Sequence, residues 1–215
     1  MAFRPSVILR RPSGAGVSAF LFGVRQKQVL RRLRRHQDDG VQVLRRLRRH
    51  QDDGIHEMID SDTFRSVLGR FASGVSIVTA RDDAGVDHGM TVSAFASVSL
   101  EPPLILVCID HSASMHDLLL QHPRFGISVL SSEQEAYSRR FATDPDTGRF
   151  DGIAYSRGDS GVVLIDNALA HLECRVTQHY DAGDHTIFIA GVERAEAKQG
   201  RPLLYYRGGY AQLER

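Results

Sequence analysis

Small hydroxyl side chains recur at regular intervals in one stretch of the chain, HGMTVSAFASVSL, residues 88–100. Thr91, Ser93, Ser97 and Ser99 stand beside apolar residues that a strand would turn towards a core. Two interpretations are open. The hydroxyls form the polar outer face of an ordinary strand, or they line a site for a planar, phosphorylated ligand together with backbone N–H groups. Composition alone does not choose between them.

Other kinds of site have less support. His111, His116, Asp110 and Asp117 are of metal-binding types, but they straddle a loop and the start of a helix, so we interpret them as surface residues and predict no metal site. The chain has no GxGxxG after a strand, no GxxxxGK[ST], no GxSxG, no CxxC and no HExxH. Hydrolase and classical dinucleotide-binding functions therefore lose support.

The polar stretch must be positioned by a fold made mostly of strands. Alternation and turn residues predict strands over 74–81, 90–100, 104–109, 125–131, 168–181, 185–197 and 202–210. The run at 104–109 is apolar throughout, which predicts burial on both faces. Helices are predicted over 61–74, around 114–121 and over 131–142, and a Gly- and Asp-rich loop over 142–161. This order predicts a mainly β (α+β) fold, an antiparallel barrel with a few helices.

The first predicted helix has clear signals at both ends. Ser61 or Asp62 can cap its N-terminus, and Gly74 can end it. Apolar residues at 64, 67, 68 and 71 fall on one face. We therefore predict one amphipathic helix.

Charge is distributed unevenly along the 215 residues. Residues 1–57 hold 13 of the 27 Lys and Arg but 5 of the 26 Asp and Glu, a net charge of +8, which leaves −7 on residues 58–215. An acidic remainder does not attract phosphate backbones, so nucleic-acid binding is not expected there. No apolar run approaches the roughly 20 residues of a membrane span. Cys108 and Cys174 lie in apolar runs, which predicts free thiols in a reducing, cytoplasmic compartment.

The front segment contains an exact repeat. The 13 residues QVLRRLRRHQDDG at 28–40 recur at 42–54 with only Val41 between them. Each copy is plausible as a short helix, but two copies are too few and too short for a stacked array. A basic arm, a targeting peptide and translated upstream sequence from a tandem duplication are the alternatives. We favour an extension, 1–57, that is disordered or loosely helical and not native, with Met58 as a sensible initiator.

Several motifs together resemble one known family. From Phe64 onward, FRSVLGRFASGVSIVTA, GMTVSAFASVSLEPPLILVCI, FGISVLS, GDHTIFIAGVERA and PLLYYRGGY are similar to the flavin reductase family of two-component monooxygenase systems. The resemblance covers about 150 residues in the right order, and 1–57 have no counterpart in it. It implies a flavin-binding, Greek-key split barrel over 58–215.

The resemblance also implies a binding site. Flavin-binding positions fall on a first segment, Thr91, Val92, Ser93, Ala94, Phe95 and Ser97, and on a second, Cys108, Ile109, Asp110, Ser112 and Ser114. Small residues suit close approach of a planar ring to the backbone. Ser112 and Ser114 precede a predicted helix, whose N-terminal N–H groups suit a phosphate. The GDH motif places His185 near the nicotinamide as the catalytic residue. By the same resemblance, Arg149 and Phe150 lie in a loop that contacts nucleotide, and Tyr210 forms a wall of the site.

The resemblance implies hydride transfer from NADH or NADPH to FMN or FAD, with reduced flavin passing to a separate oxygenase. The cofactors carry this chemistry, so no strong acid or base is required. The family's barrels pair as homodimers, which we expect here. A split-barrel oxidoreductase that retains its flavin for its own substrate, and a flavin-binding module without turnover, are the alternatives.

Overall fold

The chain from Met58 onward folds mainly into antiparallel strands. The computed structural model describes residues 58–143 and 145–213, and the predicted basic extension, 1–57, lies outside the described residues. The chain divides into two units between Ile59 and Asp60, and all the described helices and strands lie in the second.

Three α-helices are present in the described residues: α1 (Ser61–Leu68), α2 (Ser114–Gln121) and α3 (Glu135–Thr143), the last preceded by a 3₁₀ turn at Ser132–Gln134. The strands are β1 (Ser73–Gly74), β2 (Ser76–Arg81), β3 (Asp87–Val92), β4 (Phe95–Leu100), β5 (Pro103–Asp110), β6 (Arg124–Val129), β7 (Tyr155–Arg157), β8 (Val163–Ile165), β9 (Ala170–Ala182), β10 (His185–Ala197), β11 (Leu204–Tyr206) and β12 (Gly209–Ala211). None of the described helices is long and apolar enough to cross a membrane.

Seven strands form a sheet that closes on itself. Their order is β3-β2-β6-β9-β10-β5-β4, and every neighbouring pair is antiparallel. The edge strands β3 and β4 are consecutive in the chain, joined only by Ser93 and Ala94. In a flat sheet these edges would lie about 29 Å apart, six strand spacings. Two linking residues span only about 11 Å between flanking Cα atoms. The sheet must therefore curl until its edges meet, which confirms the predicted antiparallel split barrel.

Two cores lie on opposite sides of the sheet. The barrel interior is filled by side chains such as Val78 and Phe188, and α2 packs Met115 and Leu119 into the same core. Because successive residues of a strand face opposite sides, β2 also sends Ile77 into a second core, which includes Phe141 of α3. Both faces of β2 are therefore covered, and its residues 76–80 are all buried.

The outer face of β5 differs from the prediction. Ile105, Val107 and Ile109 are fully buried, but Leu104, Leu106 and Cys108 are only half-buried, so burial of 104–109 on both faces is wrong for the single chain. An apolar run predicts that a face is covered, but not that the same chain covers it. These three side chains leave an apolar surface beside the edge strand β4.

Two predicted strands are interrupted. The stretch 90–100 is divided at Ser93 and Ala94, where the chain crosses from one edge of the sheet to the other. The stretch 202–210 folds back on itself as the hairpin β11–β12, with Arg207 and Gly208 in its turn. Both interruptions depend on pairing with distant strands, which local alternation does not report.

The ends of the helices were predicted with mixed success. Asp60, rather than Ser61 or Asp62, caps α1, because its Oδ1 accepts from the backbone N–H groups of Asp62 (3.0 Å) and Thr63 (2.9 Å). The helix ends at Leu68 rather than continuing to Gly74. Its apolar side chains Phe64, Val67 and Leu68 are exposed. The boundaries of α2 and the Ser131–Gln134 capping box before α3 are as predicted.

Both cysteines have free thiols, as predicted. Cys174 is buried in the barrel core, and burial, aided by Glu193 and Glu173, raises the pKa of its thiol to about 12. Partial burial also raises the pKa of the Cys108 thiol. Neither thiol is therefore activated as a nucleophile.

Candidate functional site

The predicted flavin segment, residues 91–95, contains the link that closes the barrel. Val92 is buried and Phe95 packs against the barrel core, whereas Ser93, Ala94 and the nearby Ser97 are exposed. The carbonyl groups of Ser93 and Ala94 accept from the N–H groups of Phe95 (3.1 Å) and Cys108 (3.0 Å). Their own N–H groups contact no acceptor among residues 58–143 and 145–213. Free donors on an exposed, narrow segment suit the carbonyl oxygens of a planar ring.

Thr91 and Tyr210 are used inside the fold. Thr91 Oγ1 donates to the backbone carbonyl of Ser138 on α3 (2.7 Å). Ser138 Oγ and the Tyr210 hydroxyl form a hydrogen bond of 2.7 Å, and the guanidinium of Arg139 lies 4.7 Å from the centre of the Tyr210 ring. Thr91 therefore holds α3 against the barrel, and Tyr210 holds it against the C-terminal hairpin. The contacts of both residues with a ligand stay a prediction.

Arg149 and Phe150 lie on the same side of the sheet as α3. Arg149 Nη1 donates to the carbonyl of Gly89 (2.6 Å) and pairs with Asp146. The Phe150 ring lies 5.0 Å from the Phe141 ring in an edge-to-face arrangement. The structure gives both side chains a role in packing the 145–153 loop, and their predicted nucleotide contacts are untested.

The second predicted segment ends β5 and leads into α2. Cys108 is half-buried and Ile109 is fully buried, so Ile109 can meet a ligand only through its backbone. Asp110 Oδ1 accepts from both the hydroxyl and the N–H of Ser112, each at 2.7 Å. These two hydrogen bonds lower the pKa of the Asp110 carboxyl. Ser112 is thus held in place by an ionised neighbour.

The start of α2 has the features of an anion site. Its N-cap residue, Ala113, offers no side chain to the N-terminal N–H groups of the helix. Ser114, the first helical residue, donates from its hydroxyl to Asp146 Oδ2 (2.6 Å). Helix N-termini attract negative groups through their free N–H groups and dipole. A loop carboxylate already contacts the hydroxyl that was predicted to meet a flavin phosphate.

His185 lies at the start of β10, directly opposite Asp110 on β5. Its Nδ1 is 2.7 Å from Oδ1 of Asp184, and the side chain is 40% exposed. Successive side chains of a strand point to opposite faces, so strand alternation gave no reason to expect contact between Asp184 and His185. Asp184 lies just before β10, however, and the alternation of a strand does not apply to it. The hydrogen bond to His185 lowers the pKa of the Asp184 carboxyl.

The histidines considered as metal ligands belong to a hydrogen-bond network. Nε2 of His111 and of His116 lie 3.1 and 2.9 Å from the buried hydroxyl of Thr186. Thr186 Oγ1 also donates to Asp181 Oδ1 (3.2 Å). In the described part of the chain, the side chains that come close enough to share a metal ion are instead those of Asp110, Asp184 and His185. One potential ligand atom of each lies within 4.8 Å of the other two.

A cavity beside the flavin segment was not predicted from the sequence. It lies between α1 and the β11–β12 turn, and its lining includes Ser93, Phe71 and Arg207. One signal was available in YYRGGY, where a tight turn between strands places an arginine at a position usually taken by Asn, Asp or Gly.

These observations fit a flavin. An exposed segment with free N–H donors can meet a ring, and an uncapped helix start lies at the end of the neighbouring strand. Ala94 contacts Cys108, which is two residues, or about 7 Å, from Asp110 along β5. Asp110 in turn faces His185, so the three predicted parts of the site lie on one rim of the barrel.

Comparison with known proteins supports this assignment. A family model described as a flavin reductase like domain matches residues 68–214. An NADH-dependent flavin reductase of Rhodococcus sp is 44% identical over 155 residues, which cover 70% of this chain and 85% of the relative. The reductase component of a 4-nitrophenol 4-monooxygenase/4-nitrocatechol 2-monooxygenase of Rhodococcus opacus is 41% identical over 152 residues, 71% of this chain and 80% of that protein.

A solved structure agrees with these relatives. The NADH:FAD oxidoreductase of Streptomyces globisporus, in complex with NAD and FAD fragments, has a TM-score of 0.69 at 36% identity, and the match covers 73% of this chain and 96% of that chain. The family match and these similarities span most of the described barrel, including the segments on its rim. The chain therefore belongs to the flavin reductase family.

Proposed function

We propose that this chain transfers hydride from NADH or NADPH to FMN or FAD and supplies the reduced flavin to a separate monooxygenase component. The observation that carries the proposal is the exposed Ser93–Ala94 link, whose free N–H groups lie on the same rim as His185. Relatives with 44% and 41% identity are named as an NADH-dependent flavin reductase and as a monooxygenase reductase component.

The protein's contribution is to bind and orient two ring systems. A flavin supplies the hydride acceptor, and a reduced nicotinamide supplies the hydride. Ser93 and Ala94 offer hydrogen-bond donors to one ring, and His185, held by Asp184, lies where the second ring is expected. Holding reactants at reacting distance can supply several orders of magnitude in rate without an acid or a base. An exposed site also suits a flavin that must leave after reduction.

The phosphate of the flavin is expected at the start of α2, on Ser112, Ser114 and the free helix N–H groups. Asp146 must then leave the Ser114 hydroxyl, because a carboxylate and a phosphate repel each other. Thr91, Arg149 and Tyr210 support this rim from the α3 side.

We also propose that two copies pair through the outer face of β4 and β5. Val98 and Leu100 on the edge strand β4 are 47% and 94% exposed, and the half-buried Leu104, Leu106 and Cys108 adjoin them. Exposed apolar side chains on an edge strand promote association with another chain. Analytical ultracentrifugation of Leu100→Asp should show monomer where the parent protein is a dimer, with Val86→Asp, an exposed turn residue, as control.

NADH oxidation tests the central proposal. The full chain and a fragment of residues 58–215 are each assayed with and without added FMN or FAD. Equal, flavin-dependent turnover in both is expected and would make the duplicated segment dispensable. Tightly retained flavin without turnover of free flavin would instead indicate the flavin-retaining alternative. Activity confined to the full chain would show that residues 1–57 belong to the enzyme.

A further inference from the structure

The cavity beside the flavin segment has the size of a ligand subsite. It encloses about 360 Å³ between α1 and the β11–β12 turn, and it reaches Ser93. Small-molecule sites occupy about 300–1,000 Å³, so this cavity suits part of a dinucleotide rather than a whole one. Its lining includes two arginines and no Asp or Glu, so an anionic group is favoured there.

Aromatic rings form much of the wall. Phe64, Phe71 and Tyr205 line the cavity and are 52%, 79% and 39% exposed. Large apolar side chains that stay exposed on one side of a cavity are typical of a surface that binds a ligand. Planar bases stack on such rings, which indicates a ligand that joins a flat ring to negative charge.

Arg207 stands where the turn itself does not favour an arginine. Tyr206 pairs with Gly209, and the two residues between them, Arg207 and Gly208, have φ of 53° and 80°. Positive φ at both positions defines a type I′ turn, for which Asn-Gly is the preferred sequence. A long side chain in this conformation is unfavourable, and such departures concentrate at functional sites.

The guanidinium of Arg207 is also available. Within the described residues 58–143 and 145–213 it has no hydrogen-bond or ion-pair partner, whereas Arg65, which lines the same cavity, pairs with Asp62 at 3.3 Å. Only the backbone N–H of Arg207 is used, donating to the Gly69 carbonyl at 2.9 Å. Among the described residues, the side chain therefore makes no hydrogen bond or ion pair that would stabilise the turn.

We propose that this cavity binds the adenosine diphosphate half of a dinucleotide, with Arg207 on the phosphates and the adenine against the rings of Phe64, Phe71 and Tyr205. FAD and NADH both carry this group. In FAD one of its two phosphates is the flavin phosphate, which is expected at the start of α2, so NADH is the source that these observations favour. The inference rests on the proposed reductase function and adds to it a site for the part of the cofactor that does not react.

Arg207→Asn in the full chain is the decisive variant. It removes the charge and creates the favoured Asn-Gly turn, so the melting temperature should stay equal or rise. Arg70→Asn, an exposed arginine outside the cavity, is the matched control for net charge. Arg207→Lys keeps a cation and should recover part of the lost affinity.

Kinetics identify the source of the group. If FAD supplies it, Arg207→Asn raises the KM for FAD roughly tenfold or more and leaves the KM for FMN unchanged. If NADH supplies it, the KM for NADH rises by a similar factor with either flavin. In both cases kcat stays close to that of the parent protein, because the contact is remote from the reacting atoms.

Binding of ADP provides a test independent of turnover. Titration calorimetry should show ADP binding to the parent protein and to Arg70→Asn, with affinity reduced roughly tenfold in Arg207→Asn. Equal ADP affinity in all three proteins, or an equal rise in KM for FMN and FAD, would overturn the inference. Absence of flavin-dependent NADH oxidation in the parent protein would overturn the reductase function, while ADP binding would still decide the subsite.

Discussion

Thr91 Oγ1 donates a hydrogen bond of 2.7 Å to the backbone carbonyl of Ser138, which attaches the start of the flavin segment to α3. Ser138 continues the connection through its hydroxyl to Tyr210 near the end of the described chain. The segment, the helix and the C-terminal hairpin are therefore one hydrogen-bonded unit.

Thr91→Val should weaken this unit while preserving the shape of the side chain. Loss of one part-buried hydrogen bond is expected to lower the free energy of unfolding by about 1 kcal/mol. Urea denaturation measures the change, and Thr91→Ser, which keeps the hydroxyl, serves as control. Equal stability of Thr91→Val and the parent protein would show that the hydrogen bond contributes nothing.

Gly89→Ala should destabilise the packing between β3 and α3. A Cβ at this position would lie 2.6 Å from Phe141 Cε1 and 3.1 Å from Phe150 Cζ. Both rings are held in the second core, so overpacking should cost about 1–3 kcal/mol. Thermal denaturation compares it with Gly74→Ala, where a Cβ would meet nothing within 4 Å. Similar melting temperatures for the two variants would contradict this account.

Glu173 should make stability depend on pH. It is 5% exposed, and its carboxylate accepts from the N–H groups of Asp159 (3.1 Å) and Ser160 (2.7 Å) and from the Ser160 hydroxyl. Burial alone would raise the pKa of Glu173, but these hydrogen bonds outweigh burial and hold the pKa of the carboxyl below its ordinary value. The folded state thus favours the charged form.

The contribution of Glu173 is therefore present above its ordinary pKa and is lost as the pH falls through the lowered value. At neutral pH, Glu173→Gln should lower the free energy of unfolding by about 2 kcal/mol. Urea titrations at several pH values should show this difference shrinking below about pH 4. A difference that is constant with pH would mean that the charge of Glu173 is not involved.

His185→Gln should affect the nicotinamide more than the flavin. We expect kcat/KM for NADH to fall at least about tenfold, with the KM for flavin nearly unchanged. Asp184→Asn, which removes the carboxylate 2.7 Å from His185 Nδ1, should produce a smaller loss in the same parameter. His122→Gln, at the end of α2, is the control. A parallel rise in the KM for flavin would place His185 on the flavin side instead.

The sequence predicted the elements well where local signals sufficed. The boundaries of β10 and α2 follow from alternation and helix periodicity, and both are as expected. The break at Ser93 and Ala94 was not predicted, because it depends on the distance between two sheet edges. The exposed face of α1 was also missed, since amphipathicity indicates that a face is covered but not what covers it.

The candidate site shows the same division. The resemblance indicated which segments of the chain form the site. The fold brings these segments together on one rim of the barrel, where Ala94 contacts Cys108 and Asp110 faces His185. The resemblance did not anticipate that Thr91, Arg149 and Phe150 would make their contacts on the α3 side, because family motifs do not give side-chain partners. Arg207 was overlooked because the turn in YYRGGY was predicted as part of one continuous strand, and the positive φ of Arg207 became visible only in the structure.

The two-residue link between β3 and β4 constrains how this protein can vary. Adding one residue beside Ser93 would either widen the gap between the sheet edges β3 and β4 or shift β4 by one position against β5. Because side chains alternate along a strand, such a shift would turn Phe95 out of the core and carry its neighbour inward. The length of this link is therefore expected to tolerate no insertion, even though its two side chains are exposed, and deep mutational scanning should find substitutions there far milder than any change in length.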